Sequence, residues 1–447
     1  MKRWASGIVA ALMIAAVPAL AQAQESEQES AGQVNQPDDR VVAQKVEESV
    51  EPGTKKGVEY VHGERKALEV WSDTGKLILK SPDNEFAWWL DARVMADFAA
   101  YDSERNDLHG GAELRQARIA LKALLWEDWA TEIDVGFELN QVGLKDAYVG
   151  WTGRDKTLVK VGLQREAFSL SATTPVPFMS FMERPYVVNA FSPARHIGVS
   201  YDTWGEHLRV AGGVFARRGS YDLEPEEYET QSDGYSATGR LVWVPIIERD
   251  EGRVLHLGLS ASRFTPNATR GDEQRFSAVF ETTVAQNRFV DTGSMPHVDS
   301  SAVVGVDAAW QHGNILVQGE YLAARVLRRG ALKDADFSGW YATLSWYPKG
   351  EKRRYTMAQS LWVTPNTRRG IELALRYSTV DLTDLEAGVT GGTATNIAAA
   401  FNYHFNNNVR SQVNLVHVDN DEHANGNGRY EGNDDFVYLQ ARMQIMF

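Results

Sequence analysis

The chain has 447 residues, and its 46 lysines and arginines against 60 aspartates and glutamates give a formal net charge of −14 at pH 7. This acidic balance argues against nucleic-acid binding. The chain has no cysteine, which excludes a disulfide framework and a thiolate metal site.

The first residues are typical of a secretory signal peptide. Lys2 and Arg3 precede an apolar run over residues 4–20, and residues 21–23 form a small-x-small cleavage site. We expect cleavage after Ala23, with an uncleaved N-terminal anchor as the alternative. No later stretch has the ~20 apolar residues of a transmembrane helix, so we expect export without a helical anchor.

The next segment, residues 24–66, is polar and acidic. This composition predicts a disordered periplasmic extension that serves as a tether or spacer. Residues 41–50 could instead form a short helix, but one or two heptads cannot establish a coiled coil.

From about residue 68 onward, apolar and polar residues alternate, which predicts β-strands. The pattern is clearest over residues 86–101, where Trp88 and Leu90 share one face and Asp91 and Arg93 share the other. Most of the predicted strands have the ~9–13 residues that a tilted strand needs to cross a bilayer. Sixteen stretches qualify: 86–101, 114–125, 129–137, 143–152, 157–165, 196–203, 207–217, 235–245, 254–264, 302–312, 314–326, 337–347, 370–380, 394–405, 408–419 and 434–447.

The two faces of these strands predict an all-β transmembrane barrel over residues 67–447. The inferred outer face is apolar and the inner face is charged, the reverse of a soluble sandwich. An even strand number suits a closed antiparallel barrel with periplasmic termini, short periplasmic turns and longer outer loops. Long links are predicted at 102–113, 218–234, 327–336, 381–393 and 420–433. Aromatic residues near the short turns predict one girdle: Trp126, Trp129, Trp151, Trp204, Trp243, Trp310, Trp346 and Tyr347.

Three connections do not fit this alternation of short and long links: residues 166–195, 265–301 and 348–369. Long connections in a compact domain are usually functional or disordered, and a loop folded into a wide barrel narrows its pore. Residues 274–283 and 355–363 also look strand-like, so the strand count could differ by two.

The last strand ends on an aromatic residue, Phe447. Apolar residues alternate with Tyr438, Gln440, Arg442 and Gln444. This resembles the closing strand of a bacterial outer-membrane barrel, whose terminal Phe helps the assembly machinery to recognise it.

Seven short motifs occur in order along the chain, and Phe-Met-Glu-Arg-Pro at 181–185 is the most specific. The others lie at 113–122, 144–149, 161–170, 190–199, 289–293 and 375–378. Together they resemble the phosphate-selective porin O and P family of Gram-negative outer membranes. The resemblance implies a homotrimer of sixteen-stranded barrels that passes anions. It also implies that the third and fifth outer loops and the seventh periplasmic turn fold into the lumen.

The resemblance also assigns candidate residues to an anion path. Arg118 and Lys122 match the family's inward basic pair on the second strand. They lie about 13 Å apart at ~3.3 Å per residue, which suits successive stations for an ion. Guanidinium offers paired donors to phosphate, and rings of Arg and Lys favour anions in a pore.

Further candidates come from the first strand and from the long connections. Asp91 and Arg93 face inward and could pair or tune the field. Arg184 and Arg195 could line the path or anchor a loop, and Arg353 and Arg354 could line it or belong to a solvated turn. The inferred lumen also carries carboxylates, which weigh against strong phosphate selectivity: Asp91, Asp97, Glu132, Asp134 and Glu138.

These observations predict a passive outer-membrane porin for small inorganic anions, with phosphate or polyphosphate as the leading solute. The alternative is a weakly selective general or organic-anion porin. An enzyme is less expected, because the histidines are scattered without paired-ligand spacing, and an adhesin or scaffold role stays open. We predict no cofactor and no metal site; the expected partners are small anions, outer-membrane lipids and further copies of the chain.

Overall fold

The computed structural model describes residues 69–73, 76–83, 85–138, 141–217, 233–267 and 272–447. The predicted signal peptide (1–23) and periplasmic extension (24–66) lie outside these residues. Within the described ranges, no helix is long and apolar enough to cross a membrane.

Two short α-helices, one 3₁₀ helix and twenty-two strands occur in the described ranges. The α-helices are α1 (Leu170–Thr173) and α2 (Tyr186–Phe191), and the 3₁₀ helix spans Val176–Phe178. The strands are β1 (Glu69–Asp73), β2 (Lys76–Lys80), β3 (Phe86–Asp102), β4 (Gly111–Leu125), β5 (Trp129–Glu138), β6 (Gln141–Trp151), β7 (Thr157–Arg165), β8 (Arg195–Trp204), β9 (Leu208–Arg217), β10 (Gly234–Glu248), β11 (Arg253–Pro266), β12 (Ser277–Ala278), β13 (Val290–Asp291), β14 (Val298–His312), β15 (Ile315–Arg328), β16 (Ala335–Trp346), β17 (Arg354–Thr356), β18 (Leu361–Val363), β19 (Gly370–Asp384), β20 (Val389–His404), β21 (Val409–Asn420) and β22 (Asp435–Met446).

Sixteen of these strands form one closed antiparallel barrel, which confirms the predicted fold class. Strands β3–β11, β14–β16 and β19–β22 pair in chain order, and β22 closes the ring by pairing with β3 from Val437↔Asp102 to Met446↔Arg93. The predicted strands correspond to these sixteen one by one. The alternation that the sequence showed is therefore the alternation of the lipid-facing and lumen-facing sides.

Strand β22 ends as its pattern predicts. The backbone N–H and carbonyl of Phe447 bond those of Ala92 on β3 at 2.9 and 2.7 Å. The hairpin β1–β2 pairs with Ala87–Trp89 of the same strand, beyond the reach of β22. Strands β2 and β22 thus pair with two different stretches of the same edge of β3.

Two predictions about the connections and the girdle are wrong. The link expected at 381–393 is only the turn 385–388, because β19 continues to Asp384 and β20 begins at Val389. Trp204 and Tyr347 are buried rather than part of the outer girdle. Trp204 packs in an apolar cluster with Leu158, and the Tyr347 hydroxyl donates to Glu372 at 3.1 Å. The other six aromatics are exposed on the outer face.

All three long connections fold into the lumen, as expected. We call residues 166–194 the third loop, residues 272–297 the fifth loop and residues 347–369 the inward turn. By the count of barrel strands, the inward turn is the sixth periplasmic turn rather than the seventh. The short strands β12, β13, β17 and β18 lie within these connections, which explains the strand-like patterns there.

The largest core cluster lies inside the barrel on one side. Side chains of the third and fifth loops pack against the inner face of β14–β22. Phe280 of the fifth loop, for example, contacts Phe289, Phe436 and Tyr438 with ring centroids 5.2–5.5 Å apart. The inner face of β3–β8 instead carries charged side chains.

Candidate functional site

A network of ion pairs runs along the inner face of β3–β8. It begins with Lys122, whose Nζ lies 2.7 Å from Asp91 and 3.6 Å from Glu132. Lys145 and Glu138 pair at 3.1 Å. The ion-paired members are Asp91, Arg93, Arg118, Lys122, Glu132, Asp134, Glu138, Lys145, Asp146 and Arg195. The charges of Lys160 and Arg165 also act on Asp146, and we call the whole set the charged belt.

Asp134 and Asp146 hold the arginines of the belt together. Arg118 forms a bidentate pair with Asp134 and lies 3.9 Å from Asp146. Arg93 lies 3.9 Å from Asp134, and Arg195 donates to Asp146 at 3.1 Å. Two carboxylates are thus shared by three guanidiniums, and Glu132 lies beside them within reach of Lys122.

Arg118 and Lys122, the two leading candidates from the sequence, have the least exposed side chains among the ion-paired bases of the belt. The side chains of Arg118 and Lys122 are 8% and 7% exposed, whereas that of Arg93 is 23% exposed. Arg93 is thus the most accessible of these bases, whereas Arg118 and Lys122 are enclosed with the carboxylates that they neutralise.

Asp91 and Arg93 reach different partners across the sheet. Asp91 pairs with Lys122 on the adjacent strand β4, whereas Arg93 reaches over β4 to Asp134 on β5.

A second set of basic side chains holds the third loop in place. Each of four arginines donates to a backbone carbonyl of this loop: Arg353 to Phe178 (2.7 Å), Arg410 to Met179 (2.9 Å), Arg442 to Met182 (2.7 Å) and Arg376 to Glu183 (2.9 Å). We call these four the anchoring arginines. Asn402 adds a bond to the Ser180 carbonyl at 2.8 Å. The anchoring arginines thus fix the path of residues 178–183 across the lumen.

Glu183 connects the third loop to two strands of the barrel, β4 and β22. Its carboxylate accepts from Arg115 on β4 at 2.7 and 3.0 Å and from Arg442 on β22 at 2.6 Å. Burial alone would raise the pKa of Glu183, but the two guanidiniums outweigh it and lower the pKa to about 2. The loop is therefore held by an ionised carboxylate at any pH above the acid range.

The remaining candidate residues donate to backbone carbonyls of the third loop or of the inward turn. Arg184 donates to the carbonyls of Ser171, Ala172 and Thr174, so it braces the third loop internally. Arg353 is an anchoring arginine and also pairs with Glu372 at 2.8 Å. Arg354 reaches the Thr364 carbonyl within the inward turn at 3.5 Å.

One acidic group in the described ranges is compact enough to hold a cation. Glu132, Asp134 and Asp146 have carboxylate oxygens within 4.8 Å of one another. Each of them already pairs with Lys122, Arg118 or Arg195. These bases occupy the carboxylate oxygens, so the group is better explained as part of the belt.

Sequence reasoning missed the anchoring role of Arg376, Arg410 and Arg442. A signal was present, because each is a long basic residue at an inward position of its strand. The pattern could not show that a loop more than 190 residues away in sequence supplies the acceptors.

Comparison with known proteins agrees with this architecture. Porin O of Pseudomonas aeruginosa is 25% identical over 414 residues, covering 83% of this chain and 91% of that protein. Two solved structures share the fold at 12% identity. The anion-selective porin from Comamonas acidovorans has a TM-score of 0.53 and covers 81% of this chain and 100% of its own. OmpT of Vibrio cholerae has a TM-score of 0.54, with 83% and 100% covered.

The family profile described as phosphate-selective porin O and P matches residues 89–447, which include the belt, the third and fifth loops and the closing strand. This match and the closed barrel indicate an outer-membrane channel of Gram-negative bacteria rather than an enzyme. The chain belongs to the phosphate-selective porin O and P family.

Proposed function

We propose that this porin passes small anions along the charged belt, with phosphate or polyphosphate as the preferred solutes. The observation that carries the proposal is the excess of bases in the belt. Its ion pairs join five basic and five acidic side chains, and Lys160 and Arg165, whose charges act on Asp146, raise the number of bases to seven. Anion preference is also the expected consequence of basic residues lining a pore.

The geometry of the belt suits passage rather than tight capture. Conduction requires sites that attract an ion but also release it. A phosphate beside Arg93 or Arg195 meets a guanidinium that is already shared with Asp134 or Asp146. The neighbouring carboxylate weakens the attraction, so each base acts as a shallow station.

The five carboxylates of the belt favour a second candidate, a weakly selective general or organic-anion porin. The two candidates differ in the response to phosphate. A phosphate-preferring pore has sites that phosphate occupies at the expense of chloride, whereas a general pore passes both according to size and charge.

We further propose that the mature protein begins after Ala23, that residues 24–66 form a periplasmic tether or spacer, and that three copies assemble. Family membership supports the trimer, and the basic start and apolar run of residues 1–23 support the cleavage site. N-terminal sequencing of the purified protein and its mass in detergent measure these two properties.

Planar-bilayer recording tests the proposed solute. In KCl, added phosphate should reduce the chloride current in a saturable way. The charge-removing variant Arg93→Gln should shift the half-saturating phosphate concentration upward, while Arg325→Gln, which changes an exposed arginine on the outer face, should not. An unchanged chloride current at saturating phosphate would favour the general porin.

A further inference from the structure

Two arginines stand on the outer face of the barrel, on strands that lead to the outer loops. In the outer halves of the described barrel strands, Arg263 of β11 and Arg325 of β15 are the two basic residues that are exposed. Their strand neighbours, such as Ser262 and Ala324, are buried on the inner side. Because side chains alternate along a strand, both arginines belong to the lipid-facing side of the wall and not to the pore.

Strand pairing places these two side chains in one row. Arg263 pairs with Ala302 of β14, and Ala302 pairs on its other side with Arg325. Neighbouring strands lie ~4.8 Å apart, so the two arginines stand about 10 Å apart along the row, with only a methyl side chain between them. Two long side chains at this spacing can approach one ligand from both sides.

The two arginines differ in how far their charges are balanced. The Nη2 of Arg263 donates to the Ser300 hydroxyl at 3.1 Å, and no carboxylate of the described residues lies within ion-pair distance of it. Arg325 lies 3.2 Å from Asp334 and 3.8 Å from Asp336. A lipid-facing arginine is unfavourable without an anion beside it, so Arg263 supplies the stronger attraction.

The neighbouring sector of the outer rim has the opposite charge. Exposed positions near the outer ends of β16, β19, β21 and β22 carry carboxylates: Asp336, Asp381, Asp419 and Asp435. Like charges repel an anion, so among the described strands the sector from β11 to β15 is the one that attracts it.

The face below the two arginines is apolar. The next two rows toward the centre of the membrane on β11, β14 and β15 are Ala261, Val304 and Ala323, followed by Leu259, Val306 and Tyr321. A ligand with an anionic group at the membrane surface and acyl chains beneath it matches this order of rows. Free phosphate would make no use of the apolar rows.

We propose that Arg263 and Arg325 bind a phosphate group of a phosphorylated glycolipid in the outer leaflet of the membrane. Guanidinium offers paired donors to phosphate oxygens, and basic side chains at a membrane surface attract anionic headgroups. The site lies on the opposite side of the barrel wall from the lumen, so it does not depend on the proposed anion path.

Native mass spectrometry of the purified porin in detergent, with diphosphoryl lipid A as the probe, tests this site. The wild type should bind lipid A. Arg263→Gln should raise the dissociation constant about tenfold, because a charge-assisted hydrogen bond is lost, and the double variant with Arg325→Gln should raise it further. The matched control is Arg253→Gln, at the opposite end of β11, which should bind lipid A as the wild type does.

Four results would overturn the proposal. Arg263→Gln could keep the wild-type affinity, or lipid A without its phosphates could bind equally well, so that the acyl chains alone account for binding. Inorganic phosphate at the same concentration could displace lipid A, which would indicate a site for the free anion. Arg263→Gln could lose its oligomer, which would place a second copy of the chain on this face. The reversal potential in a KCl gradient reports the anion path separately and should be unchanged in all three variants.

Discussion

The two sides of this barrel use arginine in opposite ways. On β3–β8, belt arginines such as Arg93 and Arg118 lie within ion-pair distance of carboxylates on other strands, and their charges are spread along the inner face. On the other side, anchoring arginines such as Arg376 and Arg442 are buried and donate to backbone carbonyls of the third loop. The role of an inward arginine therefore depends on the acceptor that it contacts, not on its position on the inner face.

The two kinds of contact should differ in their contribution to stability. An anchoring arginine orders a loop inside the barrel. Arg353, Arg376 and Arg442 also compensate carboxylates that are buried with them, so their loss leaves charges without partners. A belt arginine shares its carboxylate with a second base. Its removal leaves the acid still paired, and mainly the field in the lumen changes.

The largest expected effect follows from Arg442→Met. Arg442 bonds Asp97 twice at 2.7 Å and Glu183 at 2.6 Å, and it is fully buried. Removing one partner of a buried pair costs about 3–5 kcal/mol, so the free energy of unfolding should fall by that order. Denaturant titration of the folded barrel, followed by gel mobility, measures it. The matched belt variant Arg93→Met should change the free energy of unfolding by less than about 1 kcal/mol. Equal losses in the two variants would contradict the distinction between anchoring and belt arginines.

The next effect is a dependence on pH through Glu183. Its pKa is lowered from 4.5 to about 2 in the folded protein, so the ionised group contributes stability above pH 4.5 and this contribution is lost as pH falls toward 2. Current fluctuations caused by release of the third loop should therefore increase only in that acid window. Glu183→Gln should show them at pH 7, and a wild-type pore that is steady down to pH 2 would contradict the anchoring role.

A smaller effect is expected for Arg410→Gln. Arg410 donates to Met179, Gln412 and Gln444, and the described residues place no carboxylate within ion-pair distance of it. Its loss removes neutral-acceptor bonds without stranding an acid, so unfolding should become easier by about 1 kcal/mol. The same denaturant titration should rank it well below Arg442→Met; the reverse order would show that the carboxylates do not set the cost.

The last expected effect concerns selectivity and follows from Asp134→Asn. This change removes one negative charge from the belt. A unit charge ~8 Å from an ion in water contributes about 0.5 kcal/mol, with opposite signs for an anion and a cation, so the anion-to-cation permeability ratio should rise roughly fivefold. Reversal potentials in a KCl gradient measure the ratio. An unchanged ratio would show that the conducted ions do not pass the belt.

Much of the fold could be predicted from the sequence, because lipid and lumen impose opposite chemistry on alternate residues. Each of the sixteen barrel strands, and the closing role of Phe447, follows from that alternation. Strand ends are less well defined, since β19 and β20 extend into a stretch that reads as a polar loop. Trp204 and Tyr347 look like girdle residues but point inward, where an apolar cluster and Glu372 hold them.

The site was harder to predict for a physical reason. Alternation places Arg118 and Lys122 on the lumen side, but it does not show that Asp134 and Asp91 neutralise them. It also does not show that Arg442, an inward residue of the last strand, bonds a carbonyl of the third loop. Such contacts depend on long-range packing inside the barrel, which no local pattern encodes.

The most direct test of the division between the two sides is the reversal potential of Arg93→Glu in a KCl gradient. The wild-type pore should prefer anions, and this variant should reduce or invert the preference while its unfolding free energy stays near the wild-type value. Arg325→Glu, on the outer face, should keep the wild-type potential. A cation-selective wild type, or an Arg93→Glu pore with unchanged selectivity, would contradict the assignment of the charged belt as the anion path.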